Sequence, residues 1–290
     1  MKKYLQFLKE ISCFLLSIIF LISTFGCSSS DPAQIYERAK KSISEGDTTK
    51  ADELVAKVEE ARISELKNAQ VGDIIFYGFY EQDNDFDNGK EEIEWEVLAK
   101  EEDRILVISK LVLDAQPYNE KFEAVTWETC SLRMWLNSSF LNEAFSAELQ
   151  KHIIMGDVTA GRHTLYEEIE KIDPGSDTVD QIFVLSMEEI ETYYGWINDR
   201  MPERSINATN YAIAQGVKIE HREYVNDFWA LEVEGIEMEY GKTVWWMRGV
   251  GIKPYLAIVM MPSGRVGSEG MMVYCDNVGV RPAMWISTKE

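Results

Sequence analysis

Apolar positions recur along this chain at two periods, and the change from one to the other divides it. Ile35, Tyr36, Ala39 and Ile43 fall on one face at helical spacing. Asp31 followed by Pro32 supplies an N-cap and a first helical residue whose missing N–H costs nothing there. Gly46-Asp47 breaks the pattern. Ala51, Leu54, Val55, Val58 and Ala61 then line one side of a second predicted helix, capped by Thr48 or Thr49. The pair reads as an α-hairpin spacer over residues 34–68. From residue 71 the period drops to two, and runs at 74–80, 93–98 and 105–108 predict strands. Helical spacing returns at 126–137, with Thr126 as cap and Leu132, Trp135 and Leu136 on one face. Phe140, Ala144 and Phe145 mark a second short helix. Residues 157–177 are polar, turn at Pro174-Gly175, and read as an exposed excursion. A strand at 180–185 leads to Ser186, which caps a helix running to Tyr194, and residues 208–216 form a short helix stopped by Gly216. Residues 217–242 are acidic and read as irregular surface loop. Beyond them come Trp245-Trp246, strand-like runs at 255–261 and 271–274, and a last strand at 280–286. That last run matches 74–80 in length, and pairing the two would bring both ends of the domain together. The expected class is therefore α+β.

Composition supports a folded chain. With 290 residues, 46% of them hydrophobic and 11% aromatic, it can bury a sizeable core. The formal charge of −21 repels phosphate backbones and anionic lipid heads, which argues against nucleic acid as a partner and against polybasic membrane docking. Four cysteines occur, and two of them, Cys13 and Cys27, fall in the N-terminal segment. Cys130 and Cys275 lack CxxC spacing, so zinc is disfavoured. Two reduced thiols or one Cys130–Cys275 disulfide both remain open.

Candidate chemistry is thin. His152, His163 and His221 have no partner at metal or triad spacing, and the chain lacks a nucleophile elbow, an HExxH helix start and a phosphate-cradling glycine loop. One loop is distinctive. Between the first two predicted strands, Asp83, Asp85 and Asp87 alternate as carboxylates do in calcium loops, but the glycine falls one place late and no acid stands at the twelfth position. The loop reads first as a solvated hairpin turn, with a calcium site on those three aspartates as the alternative and no other cofactor expected.

The N-terminus carries Lys2, Lys3 and Lys9 before an apolar run from Ile11 to Ile22, the pattern of an export signal. Residues 23–30, Ser-Thr-Phe-Gly-Cys-Ser-Ser-Ser, resemble the lipobox of bacterial lipoproteins. That resemblance implies a signal peptide over 1–26, lipid attachment at Cys27 and a tether over 27–33. It also implies a bacterial cell-membrane location facing outside, with the lipid as the contact to the membrane. Thr24 and Phe25 depart from the usual residues there.

A second resemblance rests on separated motifs in order: Tyr80-Glu81-Gln82-Asp83-Asn84-Asp85, Ile93-Glu94-Trp95, Thr126-Trp127-Glu128 with Trp135-Leu136-Asn137, Phe183-Val184-Leu185-Ser186, Trp245-Trp246-Met247-Arg248 and Gly279-Val280-Arg281-Pro282-Ala283. Together they resemble an uncharacterised domain family of bacterial exported proteins over 71–287. More distantly, the resemblance implies the C-type-lectin-like architecture of formylglycine-generating-enzyme relatives, with the N- and C-terminal strands paired. Arg248-Gly249-Val250-Gly251 departs from the turn such relatives show.

The expected function is a ligand-binding module and not an enzyme. Trp229, Trp245, Trp246, Arg248 and Tyr255 are its candidate recognition residues for an extracellular glycan or protein, with the alternative that the Trp245-Trp246 pair closes the core and only the loops bind. The alternatives are a structural envelope lipoprotein and, behind it, a formylglycine-generating type of enzyme, which would need Cys130 and Cys275 close together.

Overall fold

A computed structural model describes residues 31–161, 172–196, 202–219 and 241–289. The chain falls into two compact units, residues 1–58 and 59–290. In the first, helix α1 (Pro32–Ser44) begins as the sequence predicts: Asp31 accepts the Ala33 amide at 3.2 Å and Pro32 opens the first turn. Gly46, at φ 77°, turns the chain toward helix α2 (Thr48–Glu65), whose last residues belong to the second unit. Among the described residues no helix is long and apolar enough to cross a membrane.

The second unit is mixed α and β, built on two mainly antiparallel sheets and a few short helices. In the first sheet the order is β1 (Ile74–Tyr80), β2 (Glu91–Lys100), β3 (Arg104–Ser109), β13 (Ala283–Ser287) and β5 (Ile153–Ile154), with β8 (Ile182–Phe183) also on β13. Strand β2 shows why the pattern folds this way. Ile93, Trp95 and Val97 are buried while Glu92, Glu94 and Glu96 alternate outward, the period of a half-buried strand. Strand β3 is buried from Ile105 to Ser109, as a central strand must be.

The expected pairing of 74–80 with 280–286 needs correction. β1 and β13 share the sheet, but β2 and β3 stand between them. The short connections β1–β2 and β2–β3 make local hairpins, and local pairing closes the smaller loops. Strand β1 also carries a register shift between Phe76 and Phe79. Gly78 sits there at φ 78°, where a Cβ would stand 2.6 Å from the Phe145 ring and 2.7 Å from the Ala144 carbonyl. Only glycine lets the short helix Leu141–Ala144 approach so closely.

The second sheet runs β11 (Val266–Met272), β10 (Leu256–Met260), β9 (Trp245–Val250), β12 (Gly279–Val280) and β4 (Asp114–Ala115). A two-strand ribbon joins the sheets. β3 and β13 pair in the first, and their continuations β4 and β12 pair in the second. Arg281 fills the crossing: it is buried, donates from Nε to the Ser109 carbonyl at 2.7 Å and lies 5.3 Å from the centre of the Trp245 ring.

Helix placement departs by a turn at one place. The helix expected to start at Thr126 instead spans Ser131–Trp135 with Cys130 at its N-cap. Thr126 closes a preceding turn, accepting at its carbonyl from the amides of Thr129 and Cys130. The helix from Ser186 is as expected, with a complete capping box between Ser186 and Glu189 over Met187–Tyr194. Thr209 likewise caps Asn210–Ala214. The predicted strand at 180–185 is split into β7 (Thr178–Asp180), which pairs with β6 (Gly156–Val158), and β8. Most of the acidic stretch 217–242 lies outside the described residues.

Candidate functional site

The loop after β4 and the two ends of the β10–β11 hairpin meet on the surface of the second sheet. Backbone hydrogen bonds stitch them together. The Asn119 amide donates to the Val273 carbonyl at 2.8 Å, Val125 to Pro254 at 3.0 Å and Val273 to Tyr255 at 3.1 Å. These bonds bring three rings together: Phe122 stands 5.0 Å from Tyr255 and 5.3 Å from Tyr274, edge to face in both pairs. All three face solvent, with Phe122 59% exposed, Tyr274 47% and Tyr255 37%, and Met272 beside them is 45% exposed. Scattered exposed apolar residues are ordinary, but rings in mutual contact on the surface are a patch.

Beneath the patch the aromatic residues are wholly buried. Tyr118 packs 5.5 Å from Trp246 and 6.3 Å from Trp127, and Trp246 donates from Nε1 to the Gln116 carbonyl at 2.8 Å. The same loop thus carries Tyr118 into the core and Phe122 out of it. Trp127 donates from Nε1 to Asp180 at 2.9 Å, and that buried carboxylate also accepts from Thr178 and from Arg133 Nε. Both indole N–H groups therefore have acceptors, while the Tyr118 hydroxyl is buried without a hydrogen-bond partner among the described residues.

Trp245, Trp246 and Arg248 therefore stand elsewhere than the sequence reading put them. All three are buried in β9, so none can stack on a ligand. Arg248 donates from Nε to Thr159 and from Nη1 to Val184, both at 2.6 Å, and pairs through Nη2 with Glu189 at 2.9 Å. That arrangement ties β9 to the start of the helix from Ser186. Tyr255 alone of the described candidates is on the surface. Trp229 and Cys27 lie outside the described residues. Phe122 was missed because a single phenylalanine between Lys121 and Glu123 has no periodicity to mark it. Its isolation in a charged loop was the available signal.

The acidic loop arranges its carboxylates differently from the aspartate reading. Glu81, Asp83 and Glu91 each place a carboxylate oxygen within 4.8 Å of the others, and such a set could hold a hard divalent cation. Asp85 and Asp87 are not in it. The Asp85 amide donates to Asp83 Oδ1 at 2.8 Å and the Asp87 amide to Asp85 Oδ1 at 3.2 Å, so the alternation serves successive turns, with Asn84 at φ 66°. Burial, with Glu91 and Asp83 nearby, raises the Glu81 carboxyl above its ordinary value.

The two cysteines are free thiols, and no disulfide joins them. Cys130 is buried at a helix start, and burial pushes its thiol up to about 12. Cys275, half-buried beside Tyr274, is also raised, first by burial and then by Asp276. Both shifts disfavour the thiolate form.

Comparison with curated proteins gives no match, and comparison with solved structures gives none. A family model does match residues 102–288. The matched stretch holds β3, the Phe122 loop, both tryptophans of β9 and the whole second sheet. It covers more than half of the chain, and on that ground the protein belongs to the family described as Domain of unknown function (DUF6273).

Proposed function

We propose that the protein is a ligand-binding module, held at the outer face of a bacterial membrane by lipid on Cys27, with the Phe122–Tyr255–Tyr274 patch as its recognition face. One observation carries the binding part: three exposed rings, Phe122 edge to face with both tyrosines, on segments joined by backbone hydrogen bonds. Exposed aromatic area has no role in stability that burial would not serve better. Rings already fixed by backbone hydrogen bonds lose little freedom when a ligand covers them. The C-type-lectin-like comparison belongs to the same proposal, supported by β1 and β13 sharing a sheet and by the Trp245-Trp246 strand standing in the other.

The binding part is tested with the purified full chain and its Phe122→Ser variant on a glycan array and a peptide array. The reading expects saturable binding to at least one class of probe, weakened about tenfold or more by the substitution. Saturable binding that Phe122→Ser leaves intact, or none on either array, overturns it. Anchoring is tested separately by palmitate labelling in a bacterial host. Label is expected on the native chain and absent from Cys27→Ala, and equal labelling of both overturns that part.

A further inference from the structure

The polar groups around the patch decide which class of ligand it suits. A sugar needs donors and acceptors aimed outward to meet its hydroxyls, and a site built without them discriminates poorly. Of the uncharged side chains in the Phe122 loop, Asn119 and Ser131 are engaged inward, which leaves full charges and the two tyrosine hydroxyls around the rings. Asn119 is buried, donates from Nδ2 to the Lys121 carbonyl at 3.0 Å and accepts the Ser131 amide at Oδ1 at 3.1 Å. The Ser131 hydroxyl accepts the Glu120 amide at 3.0 Å. The ring at the centre of the patch is Phe122, which contacts both tyrosines and has no polar atom. An apolar centre surrounded by exposed charge is the anatomy of a protein-docking surface. Glu120, Glu123 and Asp276 flank the patch against Lys121 and Lys253, on a chain whose formal charge is −21. That field draws in a cationic partner and repels an anionic one.

We infer that the face docks on a protein, and that the partner presents an aromatic or aliphatic anchor within a basic surface. The inference rests on the recognition face proposed above. The anchor covers Phe122 and Met272 between the two tyrosines, and the partner's basic residues meet Glu120 and Glu123 at the edge.

Synthetic peptides with a central Phe or Leu, flanked by lysines and arginines, by uncharged residues or by glutamates, separate the possibilities when run beside a glycan array. The native full chain is expected to bind the basic peptides, to lose about tenfold or more in affinity as Phe122→Ser, and to weaken as salt is raised from about 0.05 to 0.5 M. The double variant Glu120→Lys with Glu123→Lys keeps all three rings. It is expected to weaken the basic peptides about tenfold and leave the uncharged ones unchanged. Binding of glycans alone, lost in Phe122→Ser, overturns the protein partner while the recognition face stands. Equal binding of basic and acidic peptides overturns the charge assignment. Binding of either class that Phe122→Ser does not change overturns the inference and the reading beneath it together.

Discussion

Two sets of aromatic side chains lie close together in the second sheet and are used in opposite ways. In β9 and the loop beneath it, Trp246, Tyr118 and Trp127 are buried, and the indole N–H groups of both tryptophans donate to protein acceptors. A few residues along the same segments, Phe122, Tyr255 and Tyr274 pack on one another in solvent. Aromatic content alone therefore marks neither core nor binding face. What separates the sets is whether the neighbouring backbone carries the ring between the sheets or leaves it on the outer side.

The contrast can be broken most directly from the buried side. Trp246→Ala removes a fully buried indole and leaves the Gln116 carbonyl without its donor, which should cost about 3–5 kcal/mol in urea unfolding, a large part of the stability of an ordinary domain. Arg248→Ala comes next. It leaves Glu189 and the Thr159 and Val184 carbonyls without their partner, at an expected cost of about 3 kcal/mol by the same measurement. A loss below about 1 kcal/mol in either variant would mean that β9 is not the structural centre described.

Asp114 sharpens the buried side in a different way. It accepts from the Tyr80 hydroxyl at 2.5 Å, and burial raises its carboxyl above the unfolded value of 3.8. Between the unfolded and folded values the native state holds a proton that the unfolded chain has released. Stability from this group is therefore greatest at acid pH and falls as pH rises through that window. Asp114→Asn should flatten the fall in Tm as pH rises above about 4. An unchanged slope would show that Asp114 is ionised in the fold. The smallest effect belongs to the surface. Phe122→Ser should cost about 1 kcal/mol or less, because it removes ring contacts without opening a cavity. A larger loss would return the patch to the core.

Much of the architecture was legible from local chemistry. Asp31-Pro32 and the Ser186–Glu189 capping box fix helix starts by hydrogen bonds between near neighbours in sequence. The alternation through Ile93, Trp95 and Val97 fixes which face of β2 is inner. The partner of β13 was not legible, because strand length says nothing about which edge is free, and the β1–β2–β3 hairpins take the neighbouring places first. The site was misread for a related reason. Trp245 and Trp246 are large enough to suggest a binding face, but the same area makes them the most favourable residues to bury. Tyr255, a candidate read from the sequence, lies on the surface. Phe122 joins it only through backbone bonds between segments more than a hundred residues apart, and Tyr274 across the ends of the β10–β11 hairpin.

Strand β13 is the last of the strands in chain order, yet it lies inside its sheet, with β3 on one side and β5 and β8 on the other. During synthesis the hairpins from β1 to β3 can form early, while the opposite half has nothing to attach to until residues 283–287 have been made. A nascent chain stopped short of that point exposes the buried edge of β3, and cooperative closure of the fold is deferred until those residues have been made.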